Sequence, residues 1–373
     1  MLRIDRRLIK NFDWITFSVV VIIALIGIMT IYSATRPLVE GMNSPFYLKQ
    51  ALWLLLGVLA LFMMVSFDYI WLSRFSPYLY LVGIILLITV FILGKVGLGA
   101  QRWLSIGPLS FQPSEFFKLI YIIMLSHQLG IMHSPVSTIS LFRLFFLIVF
   151  FPFILLIKQP DLGTGLMILI IFLSLILSKG LHRKITVLLL IIGLISLPFL
   201  GNILWEGLRD YQKSRLIAFL EPGVDPTGIG YHINQSKITV GSGKFFGKGY
   251  LNGTQGPFRF LPEKHTDFIF AVFAEEWGFL GSLLLLFLYI VLILRGLNTA
   301  RNARDDFGRF LALGITFMFL TYFLVNVGMT LGIMPVVGIP LPFMSYGGTA
   351  LLSNLLSVGL LINIRTRRFE LFH

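Results

Sequence analysis

Charged side chains inside apolar stretches are the first residues of this sequence that could do chemistry, because a charge in a membrane is costly. Glu115 and Lys118 lie three residues apart in one apolar run, about one helical turn, so they can pair on one helix face. Such a pair is either a structural link between helices or part of a functional site. Lys158 and Asp161 flank Pro160 at the end of the next run, where an interfacial anchor and a functional role are equally open.

Asp267 is the carboxylate best placed for catalysis. It lies where a long polar stretch meets an apolar run, within the sequence FLPEKHTDFIF at 260–270. A carboxylate at such a junction can touch both a polar sugar and a phosphate held by a lipid. The alternative is a helix N-cap, a position that Asp favours. Glu275 and Glu276 follow on the same predicted helix, and at about 3.6 residues per turn one of them must face protein or water.

Two other patterns indicate no cofactor site. The sequence GKFFGKG at 243–249 is similar to a phosphate-binding loop, but its spacing is wrong and no Ser or Thr follows the lysine. The six histidines show no metal-ligand spacing. The sequence therefore assigns no cofactor, and a divalent cation is the one candidate that it leaves open.

The composition indicates the class of protein that must position these residues. Of 373 residues, 57% are hydrophobic and 13% charged, whereas soluble domains are nearer about 45–50% and about 25%. The net charge is +13. Because so apolar a sequence leaves no soluble basic surface, this charge excludes nucleic acid and favours anionic membrane lipids as partners. Cysteine is absent, so no disulfide can form.

Ten apolar runs are long enough to cross about 30 Å of hydrocarbon. They predict an all-α polytopic membrane protein, with residues 1–373 forming a single integral membrane domain. The predicted spans are 14–34, 48–67, 75–94, 113–131, 139–157, 162–178, 184–201, 267–294, 309–331 and 346–364.

Basic residues predict how these spans are oriented. Lys and Arg are concentrated in the segments on the same side as the two ends of the chain, so both termini are predicted to be cytoplasmic. One large extracytoplasmic loop, about 202–266, then lies between helices 7 and 8. Its basic residues form either a solvated surface or a binding site for a phosphate-bearing lipid. Long loops cross the membrane regardless of such charges.

A second irregular stretch, residues 334–349, contains three prolines and three glycines and no charge. A broken backbone at membrane depth is tolerated only where it packs on protein or lines a cavity. We therefore predict a loop that is buried against the helices.

The chain resembles the SEDS family (shape, elongation, division and sporulation) through motifs that follow one another over nearly its whole length. Within the family it is most similar to the elongation branch, RodA, through AEE at 274–276 and GYLNGTQ at 249–255. The remaining motifs are GAQRW at 99–103, QPSEFFK at 112–118, KQPDLGTG at 158–165, LPEKHTD at 261–267, Asn326, GIMP at 332–335, Gly338–Ile339 and FMSYGGTA at 343–350.

The resemblance implies a peptidoglycan glycosyltransferase that polymerises lipid II during cell elongation, with its active site on the outer face of the bacterial cytoplasmic (inner) membrane. It also implies a class B penicillin-binding protein as partner, whose transpeptidase crosslinks the strands. Asp267 would be the essential carboxylate, with Glu115 and Lys118 in the working core. Further candidates for substrate binding or structural support are Arg102, Lys158, Asp161, Lys244, Lys248, Glu263, Lys264, His265 and Ser345.

Two other functions stay open at this point. Many helices and a broken segment are also expected of a lipid II flippase, and a non-catalytic scaffold for a penicillin-binding protein would need only the membrane domain. A transporter should present substrate contacts on both membrane faces, whereas the polar, irregular segments of this sequence are predicted to lie on one side. That asymmetry favours the enzyme.

Overall fold

Helices dominate the computed structural model, which describes residues 11–36, 45–97, 100–106, 109–181, 210–221, 228–254 and 263–369. In order they are α1 (Trp14–Thr35), α2 (Phe46–Ser66), α3 (Ile70–Leu93), α4 (Pro113–Ile131), α5 (Thr138–Lys158), α6 (Leu162–Lys179), α7 (Asp210–Leu220), α8 (Ile229–Ser242), α9 (Ile269–Arg301), α10 (Asp306–Thr330) and α11 (Gly348–Thr366).

Eight of these helices, all but α4, α7 and α8, are long and apolar enough to cross a membrane. Their nearly unbroken Leu, Ile, Val and Phe favour helices, because hydrocarbon offers a backbone no other hydrogen-bond partner than its own. Between α3 and α4, a small antiparallel sheet has the order β1 (Lys95–Gly97), β2 (Ala100–Ile106) and β3 (Leu109–Phe111).

Each predicted span that falls on described residues coincides with a helix, but the one at 113–131 is not among the eight that are apolar enough to cross a membrane. The run predicted at 113–131 is α4, which holds Glu115 and Lys118 and packs between α3, α10 and α6. The predicted span 184–201 lies outside the described residues. The count of ten helices, the cytoplasmic termini and the side of the 202–266 loop therefore stay predictions.

The 202–266 segment is more ordered than the predicted irregular loop, because its described part contains α7 and α8. Ala218 of α7 and Ile233 of α8 are buried in an apolar cluster with residues at the start of α9 and the end of α10. Burial of these side chains explains why a polar stretch folds into helices here. The two helices lie at the Asp267 end of the bundle.

Helix α9 is broken at Gly278, where φ is 66°. A segment before the helix, residues 244–249, inserts its backbone there and replaces the bonds that the break removes. The four bonds are Phe279 N to Lys244 O (2.9 Å), Leu280 N to Phe245 O (3.2 Å), Lys248 N to Glu275 O (3.0 Å) and Gly249 N to Glu276 O (2.9 Å).

Glycines make this insertion possible. A Cβ on Gly243 or Gly247 would overlap the backbone of Ala274 or Glu276 in α9. The GKFFGKG sequence is thus explained by the close approach of two backbones, and its glycines need no phosphate.

The loop between α10 and α11 is buried against the bundle, as predicted for residues 334–349. Tyr289 of α9 donates a hydrogen bond to the Pro342 carbonyl (2.6 Å), and Gln50 of α2 donates to the Ser345 carbonyl (3.1 Å). Met344 lies against Gly27 of α1. Side chains of the neighbouring helices thus supply hydrogen bonds to the carbonyls of this irregular loop, which confirms that it packs against protein.

Candidate active site

Asp267 lies in a tight turn, residues 263–268, that leads into α9. The amides of Thr266, Asp267 and Phe268 all donate to the Glu263 carbonyl, at 3.2, 3.1 and 3.3 Å. The N-cap of α9 is Phe268, and no side chain caps the helix. The N-cap alternative for Asp267 is therefore wrong, because its carboxylate sits one residue too early and binds no helix amide.

Side chains of two other segments, Asn326 of α10 and Ser345 of the loop after it, hold this turn through hydrogen bonds to its backbone carbonyls. Asn326, fully buried in α10, donates from Nδ2 to the Asp267 carbonyl (3.0 Å) and to the Ile339 carbonyl (2.8 Å). The Ser345 hydroxyl donates to the Thr266 carbonyl (2.6 Å). These bonds fix the position of Asp267 without engaging its carboxylate oxygens.

His265 adds an aromatic contact to the same turn. Its ring stacks on Phe46 of α2 with centroids 4.9 Å apart, and its carbonyl accepts from the Tyr346 amide at 2.8 Å. Burial lowers the pKa of His265, against the opposing effect of the Glu263 carboxylate. The imidazole therefore stays neutral and packs as an aromatic ring.

The Asp267 carboxylate and the guanidinium of Arg215 on α7 both lie close to Gly338. A Cβ built on Gly338 would lie 3.4 Å from Asp267 Oδ2 and 3.5 Å from Arg215 Nη1. The glycine has φ of 75°, a conformation that other residues rarely adopt. The Asp267 carboxylate and the Arg215 guanidinium thus approach the same point beside the backbone of a residue that has no side chain.

The environment of Asp267 suits a general base. Burial raises the pKa of its carboxyl to about 6, and the Glu263 carboxylate adds to the rise. Arg215 and Arg102 act in the opposite direction. A carboxyl with this pKa is ionised at neutral pH yet holds a proton more readily than an ordinary aspartate, which is the condition for efficient proton abstraction.

Arg102 and Asp161 approach the site from the sheet and from α6. Arg102 donates to the Pro160 carbonyl, and its Nη1 lies 3.7 Å from Asp161 Oδ1. Asp161 caps α6, accepting from the Thr164 amide at 3.3 Å, and also accepts from the Ser114 hydroxyl at 3.1 Å. Asp161 is therefore occupied by structural bonds, which weakens it as a rival base.

Glu115 and Lys118 form the predicted pair, with Lys118 Nζ 2.7 Å from Glu115 Oε1 and both side chains buried. Lys118 also donates to the Tyr322 hydroxyl and lies 4.6 Å from the centre of that ring. Tyr322 stands one helical turn before Asn326 in α10. The pair thus stabilises the helix that positions the backbone of Asp267.

Lys248 and Lys244 belong to a different part of the molecule. Lys248 Nζ lies 2.6 Å from Oε1 of the fully buried Glu275, which also accepts from the Thr254 amide at 2.9 Å and hydroxyl at 2.8 Å. Glu275 follows Asp267 by eight residues, roughly 12 Å along a helix axis. Lys244 is exposed, with φ of 50°.

The predicted residues therefore fall into groups. Around Asp267 the structure assembles Glu263, Lys264, His265 and Ser345, with Arg102 and Asp161 close by. Glu115 and Lys118 lie deeper in the bundle, Lys244 and Lys248 at the α9 break, and Lys158 is exposed at the end of α5. Within the described part of the chain, no group of three or more His, Asp or Glu could hold a metal ion.

Three residues of the site were not among the predicted ones, namely Arg215, Asn326 and Gly338. The sequence does single out Asn326, because a side-chain amide in an apolar span needs a hydrogen-bond partner. It also singles out Gly338, which belongs to one of the family motifs. Nothing in the sequence singles out Arg215, since it is one of many basic residues in a polar segment.

Comparison with known proteins identifies similar chains over nearly the full length. Residues 13–370 match the family model of FtsW, RodA and SpoVE, described as cell cycle proteins. The chain is 43% identical to peptidoglycan glycosyltransferase MrdB of Escherichia coli K12, over 79% of this chain and 78% of that protein. It is 32% identical to peptidoglycan glycosyltransferase RodA of Treponema pallidum, over 96% and 99%.

Solved structures show the same fold. A chain from a peptidoglycan synthase complex, described for its coordination of polymerization and crosslinking, has a TM-score of 0.81 at 29% identity, covering 96% of this chain and 99% of that one. The rod shape determining protein RodA of Thermus thermophilus has a TM-score of 0.70 at 28% identity, covering 96% and 98%.

Proposed function

The chain belongs to the FtsW, RodA and SpoVE family, and from this premise we propose that Asp267 is the general base of its reaction. The protein is a peptidoglycan glycosyltransferase of the RodA type, which polymerises lipid II into glycan strands for cell elongation. The flippase and scaffold alternatives are less well supported, because the similar proteins with assigned activities are glycosyltransferases.

The chemistry of lipid II defines what the site must supply. The anomeric carbon of the donor carries an α-linked pyrophosphate and the product linkage is β-1,4, so a single inverting displacement suffices. The acceptor hydroxyl oxygen forms a bond to that carbon while the bond to the pyrophosphate breaks. Asp267 takes the hydroxyl proton, and cationic side chains offset the charge that develops on the departing pyrophosphate.

One observation carries this assignment: the carboxylate of Asp267 and the guanidinium of Arg215 both approach the same point beside Gly338. A base and a cation held side by side are the two groups that the displacement requires. Arg102 adds positive charge close enough to affect the pKa of Asp267. We assign Arg215 and Arg102 to the pyrophosphate and Asp267 to the acceptor hydroxyl.

A polymerisation assay tests the proposal. Purified protein with its partner is mixed with lipid II in detergent, and glycan polymer is detected; a flippase or scaffold would make none. Arg215→Gln should lower the rate by about 10²-fold, the usual effect of removing one donor to a developing anion. Lys213→Gln, on the same helix and with the same loss of charge, is the matched control, and equal losses in the two variants would refute the role of Arg215.

We further propose that the chain acts with a class B penicillin-binding protein. The sequence has no transpeptidase motif, and a similar chain comes from a complex that coordinates polymerization and crosslinking. Co-purification from native membranes should recover such a protein. Full activity of the lone chain, with no partner recovered, would argue against an obligate complex.

The proposed active site faces outward from the cytoplasmic membrane. The basic residues of the sequence support this orientation, and α7, α8 and Asp267 all lie at one end of α9. Because the chain has no cysteine, single cysteines at positions 252 and 370 can report the sides. An impermeant thiol reagent should label position 252 but not position 370 in intact spheroplasts, and the reverse result would overturn the orientation.

A further inference from the structure

A second charged cavity lies at the end of α9 opposite to Asp267. It has a volume of about 310 Å³, at the lower end of the range of ligand pockets, about 300–1,000 Å³. The unbroken part of α9 from Phe279 to Arg295 alone spans roughly 24 Å. The main residues that line the cavity are Asp13, Trp14, Ile15, Arg295, Arg365 and Arg368.

Three guanidinium groups share this cavity with a single carboxylate. Asp13 is bound by Arg295 and lies 3.3 Å from Arg365 Nε. The same carboxylate caps α1, accepting from the Thr16 amide at 3.2 Å. Its oxygens are thus divided among several donors, and the lining residues keep an excess of positive charge.

A buried donor of Arg295 lacks an acceptor in this cavity. Arg295 Nε is buried and makes no hydrogen bond within the part of the chain that the structure describes. Buried polar groups normally have a partner, and a guanidinium binds the oxygens of a phosphate with particular preference. The unmatched donor and the excess charge together indicate a phosphate-bearing anion as ligand.

The walls of the cavity indicate that this anion belongs to a lipid. Trp14 and Ile15 line it, yet 55% and 54% of their surface is exposed. Both begin the membrane helix α1, so their exposed faces meet acyl chains while the arginines meet the headgroup. Tryptophan is enriched at this depth of a bilayer.

We propose that the cavity between the ends of α1, α9 and α11 binds the phosphate headgroup of an anionic phospholipid. Basic pockets between membrane helices are known to hold such headgroups. The site is separate from the lipid II site, since it lies at the other end of the bundle. It fixes the start of α1 to the end of α9 through a shared lipid.

Native mass spectrometry of the purified full chain in detergent tests the proposal, with phosphatidylglycerol, phosphatidylcholine and inorganic phosphate as probes. Wild-type protein should retain phosphatidylglycerol in preference to phosphatidylcholine. Arg368→Gln should weaken phosphatidylglycerol binding about fivefold, the factor that corresponds to about 1 kcal/mol per basic residue near an anionic surface. Arg301→Gln, an exposed arginine at the α9–α10 turn, is the matched control and should bind normally.

Three results would overturn the proposal. Equal weakening in both variants would mean attraction to general surface charge, and equal retention of the two lipids would mean no recognition of charge. Displacement of the lipid by an equal concentration of inorganic phosphate would mean a site for free anions.

A second measurement does not depend on the folding of a variant. A photoreactive phosphatidylglycerol, applied to the unmodified protein, should label residues 11–15 and the peptide around 365–368. Labelling that is no stronger there than at residues 297–313, which line another basic cavity, would refute the site.

Discussion

Asp267 in the turn before α9 and Glu275 in the first part of α9 are carboxylates eight residues apart, but the fold surrounds them differently. Glu275 is fully buried and accepts hydrogen bonds from Lys248 and from both the amide and the hydroxyl of Thr254. Asp267 is partly exposed and is held through its carbonyl by Asn326. The bonds to Glu275 satisfy its charge, while those to Asp267 fix its place and leave its charge for a ligand.

This contrast distinguishes a structural carboxylate from a catalytic one by which of its atoms are hydrogen-bonded, and not only by how deeply it is buried. A carboxylate whose oxygens are saturated by protein donors stabilises the fold and is poorly available as a base. A carboxylate that is held through its backbone, while its oxygens are not saturated by protein donors, is positioned at a cost to stability and available for chemistry.

The largest effect is expected for Asp267→Asn, which keeps the shape of the side chain but cannot accept the proton. Polymerisation of lipid II should fall by at least about 10²-fold, with normal expression and partner binding. The variant should melt at or above the wild-type temperature, because it removes a carboxyl whose buried charge is unfavourable. Near-normal activity of Asp267→Asn, with loss in Glu263→Gln or Asp161→Asn, would show that another carboxylate is the base.

The next effect concerns the Glu115–Lys118 pair. Replacing either residue with alanine leaves one buried charge without its partner, which costs roughly 3–5 kcal/mol of stability. Glu115→Ala and Lys118→Ala should therefore express poorly and lose activity, as judged by detergent size exclusion and by the polymerisation assay. The prediction is wrong if both variants keep wild-type yield and rate.

Glu275→Gln should lower stability and spare activity, the opposite of the effect expected for Asp267→Asn. It weakens the bonds to Lys248 and Thr254, so stability should fall by about 1–3 kcal/mol, measured as a lower melting temperature in detergent. Activity per folded molecule should stay within about twofold of wild type, since this carboxylate is engaged by Lys248 and Thr254 and does not adjoin Gly338. A loss of about 10²-fold in turnover without a loss of stability would place Glu275 in the chemistry and break the contrast.

The smallest effect is a pH dependence. The pKa of Asp267 is raised from 3.8 to about 6 by burial, so the base is lost when pH falls through 6. Polymerisation at low lipid II should drop about tenfold from its plateau at pH 5. Since the folded chain holds this proton more tightly than the unfolded chain, protonated Asp267 favours the folded state below about pH 4, and this contribution to stability is lost as pH rises to about 6 and above. A flat rate from pH 5 to pH 8 would contradict the assignment.

The sequence predicts those features that depend on local pattern. Dense apolar runs determine the spans, and α4 begins and ends where predicted because Pro113 starts it and an apolar run ends at Ile131. The three-residue spacing of Glu115 and Lys118 predicts their contact for the same reason. The choice of Asp267 rested on its place between a polar segment and an apolar one, which the fold preserves.

Features that depend on distant contacts could not be predicted. Nothing in the run from Ile269 to Arg301 indicates a break at Gly278, because the bonds that compensate it come from residues about thirty positions earlier. Arg215 reaches Gly338 only through the packing of α7 on the bundle. Lys248 was a candidate for substrate binding or structural support, and the structure pairs it with Glu275, a contact that no spacing along the chain reveals.

The break in α9 has a mechanical consequence. The segment 244–249 is bonded to Glu275 and Glu276 before the break and to Phe279 and Leu280 after it. It therefore acts as a splint across the break, so the two parts of α9 move as one body although the helix itself is interrupted at Gly278. The orientation of the turn that carries Asp267 thus depends on a segment that precedes α9 in the chain, and loss of these four bonds would uncouple the first part of α9 from the rest.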